Sequence, residues 1–201
     1  MSQLALVLVS GGVDSAVLLY MLAECDIKTL ALDFHFPGRL KSEARASENV
    51  ARAARVVRFV RINLPFVDPP KEEFSAYIPK RNMMFYGIAA TLAGQWDLDE
   101  IYGGHIHPDG RIFPDACKKY FNSLNNLISA SASKDVRRCR IVTPLIEMGK
   151  KDVIELGRRL GVPFNLTWSC LRDGPRPCGF CSSCVKRRAA FAQAGMDDFL
   201  D

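Results

Sequence analysis

The feature that most constrains the fold lies near the amino terminus, where an aliphatic run is followed at once by a glycine turn. Residues 4–9 are apolar and rich in Leu and Val, the composition of a buried strand. The hexapeptide SGGVDS at 10–15 comes next, and the apolar residues of 13–23 lack the alternation of a strand. This order predicts a strand, a tight turn and a helix.

The chemistry of this turn suits a phosphate or pyrophosphate. Its two glycines allow a sharp bend and a close approach to an anion, and the N–H groups of the first helical turn point to the same place. Ser10 and Ser15 add hydroxyl donors. The spacing excludes both G-x-x-x-x-G-K-S/T and G-x-G-x-x-G. Asp14 is unusual at an anion site, and we interpret its carboxylate as a helix cap or as a contact to magnesium carried by the nucleotide.

Strand-like and helical segments alternate along the rest of the chain. We predict strands at 27–36, 56–64, 100–103 and 140–143, and helices at 42–55, 81–95, 115–130 and 150–160. This alternation indicates βαβ units, so we expect a doubly wound, mainly parallel, Rossmann-like α/β domain over residues 1–166. Residues 167–201 form a Cys-, Pro- and Gly-rich segment that ends in a short helix.

Composition excludes several classes of protein. The chain is 48% hydrophobic and 24% charged, as in ordinary globular proteins. Its longest aliphatic run has six residues, whereas a membrane span needs roughly 20. That run lacks the basic flank of a signal peptide, so we expect a cytoplasmic protein with no membrane partner. The net charge of +5 favours an anionic ligand without requiring a nucleic acid.

The cysteines divide into two groups. Three are isolated: Cys25, Cys117 and Cys139. Four fall within fifteen residues: Cys170, Cys178, Cys181 and Cys184. Four thiolates can surround one ion at about 2.3 Å, and a site without an open position is structural, so we predict Zn²⁺ here. Free thiols and an iron–sulfur cluster are the alternatives, and a disulfide framework fits a cytosolic chain with seven cysteines poorly.

The SGGVDS turn resembles the PP-loop of the ATP pyrophosphatase superfamily, which includes asparagine, GMP and NAD synthetases and tRNA thiolases. Such enzymes transfer AMP to a carbonyl or carboxylate oxygen, release pyrophosphate, and let a nucleophile displace the AMP. The resemblance implies an adenine nucleotide alpha hydrolase-like fold and ATP with Mg²⁺. The residues it implies for ATP binding are Ser10, Gly11, Gly12, Val13, Asp14, Ser15, Leu32, Asp33 and Phe34.

The PP-loop, together with TWSC at 167–170 and CGFCSSC at 178–184, is similar to the 7-cyano-7-deazaguanine synthases, the QueC family of queuosine and archaeosine biosynthesis. YIPKRN at 77–82, FPD at 113–115 and TPL at 143–145 match family segments in order and spacing. The resemblance therefore spans nearly the whole chain. It implies ATP-dependent conversion of 7-carboxy-7-deazaguanine and ammonia to the nitrile through an adenylated intermediate, in a homodimer.

The same resemblance implies roles for individual residues. The catalytic set is Asp14, Ser15, Arg81 and Lys150, with Arg81 and Lys150 as cations for the phosphates. Arg81 has a further argument, since it opens an apolar helix, where a cation is unfavourable unless an anion is present. The residues implied for the deazaguanine are Phe36, Arg39, Asp109, Phe113 and Asp115.

Two loops depart from the family pattern. Residues 36–39 read FPGR where the family has Tyr-Gly-Gln and a basic pair, and residues 104–111 replace a loop that carries an acidic residue and a Ser-Gly pair. By resemblance both loops face the deazaguanine. A related deazaguanine acid, another amine donor and an amide product therefore stay open.

Other functions also stay open. A PP-loop RNA-modifying enzyme, such as a tRNA thiolase, would use Cys117 or Cys139 as sulfur carrier, and a non-catalytic nucleotide-binding relative would use neither. His105 and His107, with Asp109 and Asp115, would suit a catalytic metal, although a polar loop at the end of a strand is the simpler interpretation. The basic runs at 137–140 and 186–188 are typical of solvated faces or dimer contacts, so we expect no nucleic-acid partner.

Overall fold

The computed structural model describes residues 3–68, 78–131 and 138–198. Its strands are β1 (Leu4–Leu8), β2 (Lys28–His35), β3 (Arg58–Asn63), β4 (Glu100–Tyr102) and β5 (Arg140–Val142). They form one sheet in the order β3-β2-β1-β4-β5, and every neighbouring pair is parallel. The predicted doubly wound, Rossmann-like α/β fold is confirmed.

The helices of the described residues lie on both faces of this sheet. They are α1 (Val13–Glu24), α2 (Lys41–Ala53), α3 (Arg81–Gln95), α4 (Asp109–Ile112), α5 (Lys118–Ser131), α6 (Lys150–Arg159) and α7 (Ser182–Gln193). Buried residues of α1, α2, α6 and α7 share one core, and those of α3 and α5 share the other. The four-residue α4 is an addition that the sequence did not predict.

The helix expected over 115–130 begins later than predicted. Pro114–Ala116 form a 3-10 turn, and Cys117 is extended (φ −103°, ψ 161°), so the α-helix starts at Lys118. The Asp115 carbonyl oxygen accepts a hydrogen bond of 2.7 Å from the Asn82 side-chain amide. This contact with α3 orients the backbone of Asp115 away from the helix that follows.

The central strand explains the aliphatic run in the sequence. Leu6 packs into the core under α3 and α5, whereas Val7 packs into the core under α1 and α6, and neither is exposed. A strand buried on both faces is apolar at consecutive positions instead of alternating. Helix α1 is buried nearly all round, since Val17, Leu18 and Leu19 are each at most 1% exposed. This burial explains why its sequence shows no clear polar face.

The carboxyl-terminal segment shares the core of the sheet. Ala190 and Phe191 of α7 are buried in the same cluster as Val17, and the Phe191 ring meets Phe164 edge to face, with centroids 5.1 Å apart. The boundary at 166/167 stays a prediction. No helix among the described residues has both the length and the apolar character that a membrane crossing requires.

The strand order places a crevice beside the PP-loop. From β1 the chain continues to β2 and β3 on one side, whereas β4 and β5 lie on the other. In open parallel sheets the ligand binds outside the carboxyl ends of the strands where the order reverses. Here that point lies between the carboxyl ends of β1 and β4, and residues 10–15 follow β1 directly.

Candidate active site

The PP-loop packs closely against α2. Gly11 has a φ of +88°, and a Cβ at this position would lie 2.5 Å from the Ser47 nitrogen and 2.7 Å from the Glu43 carbonyl oxygen. Only glycine fits such a position, in both conformation and space. Ser10 closes the turn, because its hydroxyl accepts a 3.2 Å hydrogen bond from the Gly12 N–H. Helix α1 begins at the next residue, so its first N–H groups face the loop.

Asp14 and Lys150 meet beside this loop. The Lys150 ammonium lies 2.8 and 2.7 Å from the two carboxylate oxygens of Asp14. Lys150 is the first residue of α6 and Asp14 belongs to the first turn of α1, so the pair joins two helix amino ends that are 136 residues apart in sequence. Gly104, which follows β4, allows the backbone after this strand to lie against the start of α1, since a Cβ at this position would lie 3.0 Å from the Ser15 nitrogen.

A cavity of about 260 Å³ opens at the carboxyl ends of β1, β2 and β4. The predicted site residues that line it are Ser10, Asp14, Ser15, Leu32, Phe34, Phe36, Arg39, Arg81, Asp109, Phe113 and Asp115. The lining residues without an assigned role in the sequence analysis include Glu43, Asn82, Phe85 and Tyr86. The structure therefore brings the loop, the aromatic residues and most of the predicted charges to one site.

The other predicted site residues lie around the cavity without lining it. Gly11 and Gly12 form the turn behind it, Val13 is only 1% exposed, and Lys150 reaches it through Asp14. Asp33 is fully buried, and its carboxylate oxygens lie 2.6 Å from Arg39 Nη1 and 2.5 Å from Arg61 Nε. The Asp33 side chain is therefore committed to ion pairs, and its role in binding ATP stays a prediction.

Arg39 joins the end of β2 to the PP-loop. Its guanidinium pairs with Asp33, donates to the Phe34 carbonyl oxygen, and donates to the Ser10 carbonyl oxygen at 3.3 Å. Only 3% of the side chain is exposed, although it reaches the cavity wall. Arg39 thus fixes the positions of two predicted ATP-binding segments relative to each other.

One wall of the cavity is aromatic. The rings of Phe34 and Phe85 stack with centroids 4.1 Å apart and an angle of 12°, and Phe36 lies 6.2 Å from Phe85. The Arg81 guanidinium lies 5.9 Å from the centre of the Phe85 ring, one helical turn away. Flat apolar surfaces beside a cation suit a planar heterocycle with a negative substituent.

Charged groups of both signs surround Arg81. Burial lowers the pKa of its guanidinium, and the charges of Glu43 and Asp115 oppose that shift. Burial also raises the pKa of the Glu43 carboxyl, with Arg39 and Arg81 opposing it. Asp109 shows the same pattern, since burial raises its pKa and the Ile106 N–H opposes the shift by donating to its carboxylate at 3.1 Å. Buried charges of opposite sign therefore offset one another in this part of the cavity, where Arg39 and Arg81 lie among carboxylates.

The opening of α3 is arranged around the same charges. The Asn82 backbone N–H donates to an Asp115 carboxylate oxygen at 3.3 Å, so Asp115 satisfies the amino end of the helix that begins at Arg81. A carboxylate at this end offsets the unfavourable position of the arginine. The aspartate of the FPD segment, Asp115, thus helps to hold Arg81 and the start of α3 at the cavity.

A histidine and a tyrosine form the remaining polar contact. The Nε2 atom of His105 lies 2.9 Å from the Tyr86 hydroxyl, and a Cβ at Gly103 would lie 1.8 Å from that hydroxyl. Burial, and then the charge of Arg81, lower the pKa of His105 to about 4. His107 is exposed. Among the described residues, the side chains that lie close enough together to hold one metal ion are those of the four cysteines. The structure therefore gives no support to a catalytic metal bound by residues of 105–115.

The four predicted metal ligands do come together. The sulfur atoms of Cys170, Cys178, Cys181 and Cys184 all lie within 4.8 Å of one another. The Cys178–Cys184 and Cys170–Cys181 sulfur pairs are each 4.0 Å apart. Four sulfurs at about 2.3 Å from one tetrahedral ion would be about 3.8 Å apart, so the cluster has the dimensions of a metal site.

Backbone N–H groups surround these sulfurs as they do in metal knuckles. Those of Arg172 and Cys178 point at the Cys170 sulfur, both at 3.3 Å, and that of Cys181 points at the Cys178 sulfur at 3.4 Å. Desolvation opposes ionisation of Cys178, but hydrogen bonds from the Phe180 and Cys181 N–H groups outweigh it and lower the pKa of this thiol to about 6. At Cys178 the chain thus stabilises the thiolate, the form that binds metal, whereas burial raises the pKa of the Cys170 and Cys184 thiols.

Comparison of the folded chain with solved structures identifies its structural neighbours. The U34-tRNA thiolase NcsA from Methanococcus maripaludis has a TM-score of 0.58 and 14% identity to this chain, and the alignment covers 96% of this chain and 67% of the thiolase. The NMN synthetase from Francisella tularensis has a TM-score of 0.52 and 14% identity, with 95% and 83% covered. At these identities the likeness shows a shared fold.

Comparison of the sequence identifies the family. The chain is 32% identical over 216 residues to the 7-cyano-7-deazaguanine synthase of Archaeoglobus fulgidus, with 98% of this chain and 89% of that protein covered. It is 30% identical over 219 residues to the enzyme of the same name from Campylobacter jejuni subsp. doylei, with 98% and 97% covered. The family model described as "Queuosine biosynthesis protein QueC" matches residues 4–71 and 63–195. With this agreement across the PP-loop, the cavity and the four-cysteine cluster, the chain belongs to the QueC family.

Proposed function

We propose that this protein is an ATP-dependent 7-cyano-7-deazaguanine synthase, a ligase that converts 7-carboxy-7-deazaguanine and ammonia to the nitrile. Relatives that carry this name align with 98% of the chain. The observation that carries the proposal is a single cavity that joins a PP-loop to an aromatic wall and to Arg81. Such a cavity can hold a nucleotide phosphate and a flat carboxylic acid side by side.

The reaction uses the cavity twice. In the first step an oxygen of the substrate carboxylate attacks the α-phosphate of ATP, pyrophosphate leaves, and ammonia then displaces AMP to give the amide. In the second step the amide oxygen attacks another ATP, and loss of AMP with the remaining N–H protons gives the nitrile. The protein has to neutralise the leaving phosphate, align the reactants and exclude water from the adenylate.

The PP-loop end supplies the phosphate chemistry. The proposed pyrophosphate ligands are the N–H groups of the α1 amino end and the Ser10 and Ser15 hydroxyls, which lie 3.3 Å apart. Lys150, which pairs with Asp14 in this structure, lies beside them and is the cation that meets phosphate charge when ATP binds. Asp14 would then be the carboxylate that holds the Mg²⁺ accompanying ATP, an ion that would offset phosphate charge. A moving ion pair of this kind couples nucleotide binding to the two helices.

The other end of the cavity fits the deazaguanine. The Phe34–Phe85 stack offers a surface for the ring system, with Phe36 and Phe113 beside it. Asp109 and Asp115 are carboxylates that can accept hydrogen bonds from the N–H edge of a guanine-like ring. Arg81, which the sequence analysis assigned to the phosphates, lies beside the Phe85 ring of this wall, and its proposed role here is to pair also with the substrate carboxylate. The unusual residues of 36–39 and 104–111 keep a related deazaguanine acid or amine donor as the nearest alternative.

We infer that the four-cysteine cluster binds Zn²⁺ for structural reasons. Its donor set is four sulfurs with no other ligand type, and Zn²⁺ held by four thiolates has no open position for substrate. The ion would fasten Cys170 to the segment that carries the other three cysteines. No step of the reaction is assigned to it.

Three further features belong to the proposal. The protein acts as a homodimer in the cytoplasm, as the family resemblance suggests, and we expect no nucleic-acid partner. The thiolase alternative gains no support from Cys139, because this residue precedes β5 and lies at the amino ends of the strands, opposite the cavity. Cys117 likewise does not line the cavity among the described residues.

Product analysis tests the proposal. The purified protein is incubated with ATP, Mg²⁺, ammonium and 7-carboxy-7-deazaguanine, and the products are identified by mass spectrometry. We expect the nitrile, with AMP and pyrophosphate formed only when the acid is present. ATP turnover without a deazapurine product would exclude the proposed reaction, turnover that requires RNA would favour the thiolase, and binding without turnover would favour a non-catalytic relative.

A further inference from the structure

A residue of the four-cysteine segment caps the helix behind the PP-loop. The Asp173 carboxylate accepts hydrogen bonds from the backbone N–H groups of Lys41 at 3.2 Å and Ser42 at 2.8 Å, and from the Ser42 hydroxyl at 2.5 Å. These N–H groups open α2, and Leu40, which precedes the helix, provides no side-chain cap. Asp173 therefore caps α2 from 131 residues away.

The charge of Asp173 strengthens this contact. The hydrogen bonds from the Ser42 hydroxyl and N–H lower the pKa of the Asp173 carboxyl, so it remains ionised at neutral pH. A carboxylate at the amino end of a helix is favoured by the helix dipole. The Gly174 N–H also donates to the Ser42 hydroxyl oxygen at 3.2 Å, so two neighbouring residues of the segment hold the start of α2.

Helix α2 in turn fixes the conformation of the PP-loop. A Cβ at Gly11 would lie 2.5 Å from the Ser47 nitrogen and 2.7 Å from the Glu43 carbonyl oxygen, so the loop backbone rests directly on the second turn of α2. There is no space in which α2 could shift toward Gly11, and a shift away would remove the support of the loop. The position of the α2 amino end therefore sets the position of Gly11.

A second connection runs to the same glycine. The Trp168 backbone N–H donates to the Gly11 carbonyl oxygen at 2.9 Å, and its indole N–H donates to the Cys170 carbonyl oxygen at 3.0 Å. Trp168 thus lies between the PP-loop and the first cysteine of the cluster. Gly11 is held by α2 and by Trp168, and both are anchored in the segment that carries the cysteines.

We propose that Asp173 is a positioning residue for ATP. By capping α2 it keeps the PP-loop in the conformation that binds the phosphates, and it thereby couples the four-cysteine segment to the nucleotide site. The inference rests on the proposed function of that site. Asp173 does not line the cavity, so its effect passes through α2 and Gly11. We therefore expect it to change the affinity for ATP and to leave the affinity for the deazaguanine acid unchanged.

Steady-state kinetics with defined variants test this inference. Asp173→Ala is expected to raise the KM for ATP about fivefold, the effect of losing one helix cap, while kcat, the KM for 7-carboxy-7-deazaguanine and the metal content stay unchanged. Asp173→Asn keeps a carbonyl oxygen as acceptor and should restore most of the affinity. Glu48→Gln is the matched control, because Glu48 is an exposed carboxylate of the same helix that pairs with Arg52.

Ser42→Ala is a milder variant that removes the hydroxyl and keeps both N–H contacts, and we expect the KM for ATP to rise about twofold. It serves also if Asp173→Ala fails to fold. Calorimetric ATP binding without the acid gives a direct readout. Equal ATP affinity of wild type and variants, or a parallel rise in both KM values, would overturn the inference. A wild-type protein that binds no ATP would instead overturn the proposed function.

Discussion

At the scale of single residues, His105 shows how burial sets the charge of the cavity. Its Nε2 atom lies 2.9 Å from the Tyr86 hydroxyl, and its ring packs 4.7 Å from that of Phe121. Burial and the nearby Arg81 lower its pKa from 6.5 to about 4, so the imidazole is neutral at physiological pH. The positive charge of the cavity wall therefore comes from arginine.

The depressed pKa of His105 predicts a pH dependence of stability. Between pH 6.5 and about 4 the unfolded chain binds a proton at His105 and the folded chain does not, so this residue reduces the free energy of unfolding as the pH falls through that window. His105→Gln should flatten the curve there, measured by urea unfolding at pH 7, 6 and 5. His107→Gln, at an exposed position, should follow wild type. Identical slopes for wild type and His105→Gln would contradict the prediction.

The sequence placed His105 in a loop expected to face the substrate and offered it as a metal ligand, but it did not identify its partner. Tyr86 precedes it by 19 residues, within a helix whose apolar residues show no distinct stripe, so no local pattern singles it out. Phe85 was missed for the same reason, since only the sheet decides which face of α3 meets Phe34. Asp14 was found because it belongs to the SGGVDS motif, and Arg81 because a cation is unusual at a helix amino end.

At the scale of elements, the predictable features are those with local signals. The inner strands β1, β2 and β4 are largely buried and the strands alternate with helices, so a mainly parallel sheet followed from the sequence, whereas the order of its strands did not. The start of α5 did not follow, because the extended Cys117 and the contact of Asp115 with α3 depend on distant residues. The cap of α2 by Asp173 is equally non-local.

The contact of the four-cysteine cluster with α7 predicts how metal loss affects the stability of the domain. Metal removal should destabilise the whole domain, because Cys184 belongs to α7 and the same helix buries Phe191 in the main core. For Cys181→Ser we expect a loss of at least about 3 kcal/mol, or roughly 10 °C in Tm, measured by calorimetry with metal analysis. Cys25→Ser, at an exposed position, is the control. Unchanged Tm after chelation would contradict a structural metal.

At the scale of the molecule, the sheet brings together residues that are far apart in sequence. The PP-loop follows β1, Phe34 and Arg39 come from the end of β2, and Asp109 follows β4. The net charge of +5 does not reveal how the charges cluster, since Arg39, Arg81 and Lys150 lie at one edge of the sheet among carboxylates. Fold class and the phosphate end of the site were therefore predictable, whereas the cavity wall required the packing of α3 on the sheet.

In the proposed reaction the substrate carboxylate is activated by transfer of AMP to its oxygen. This transfer is tested most directly with 7-carboxy-7-deazaguanine labelled with ¹⁸O in the carboxylate, followed by mass spectrometry of the nucleotide products. We expect both labelled oxygens to leave as AMP oxygens, one in each of the two activation steps, with the nitrile as product. Unlabelled AMP, or label in phosphate with ADP as the nucleotide product, would contradict it.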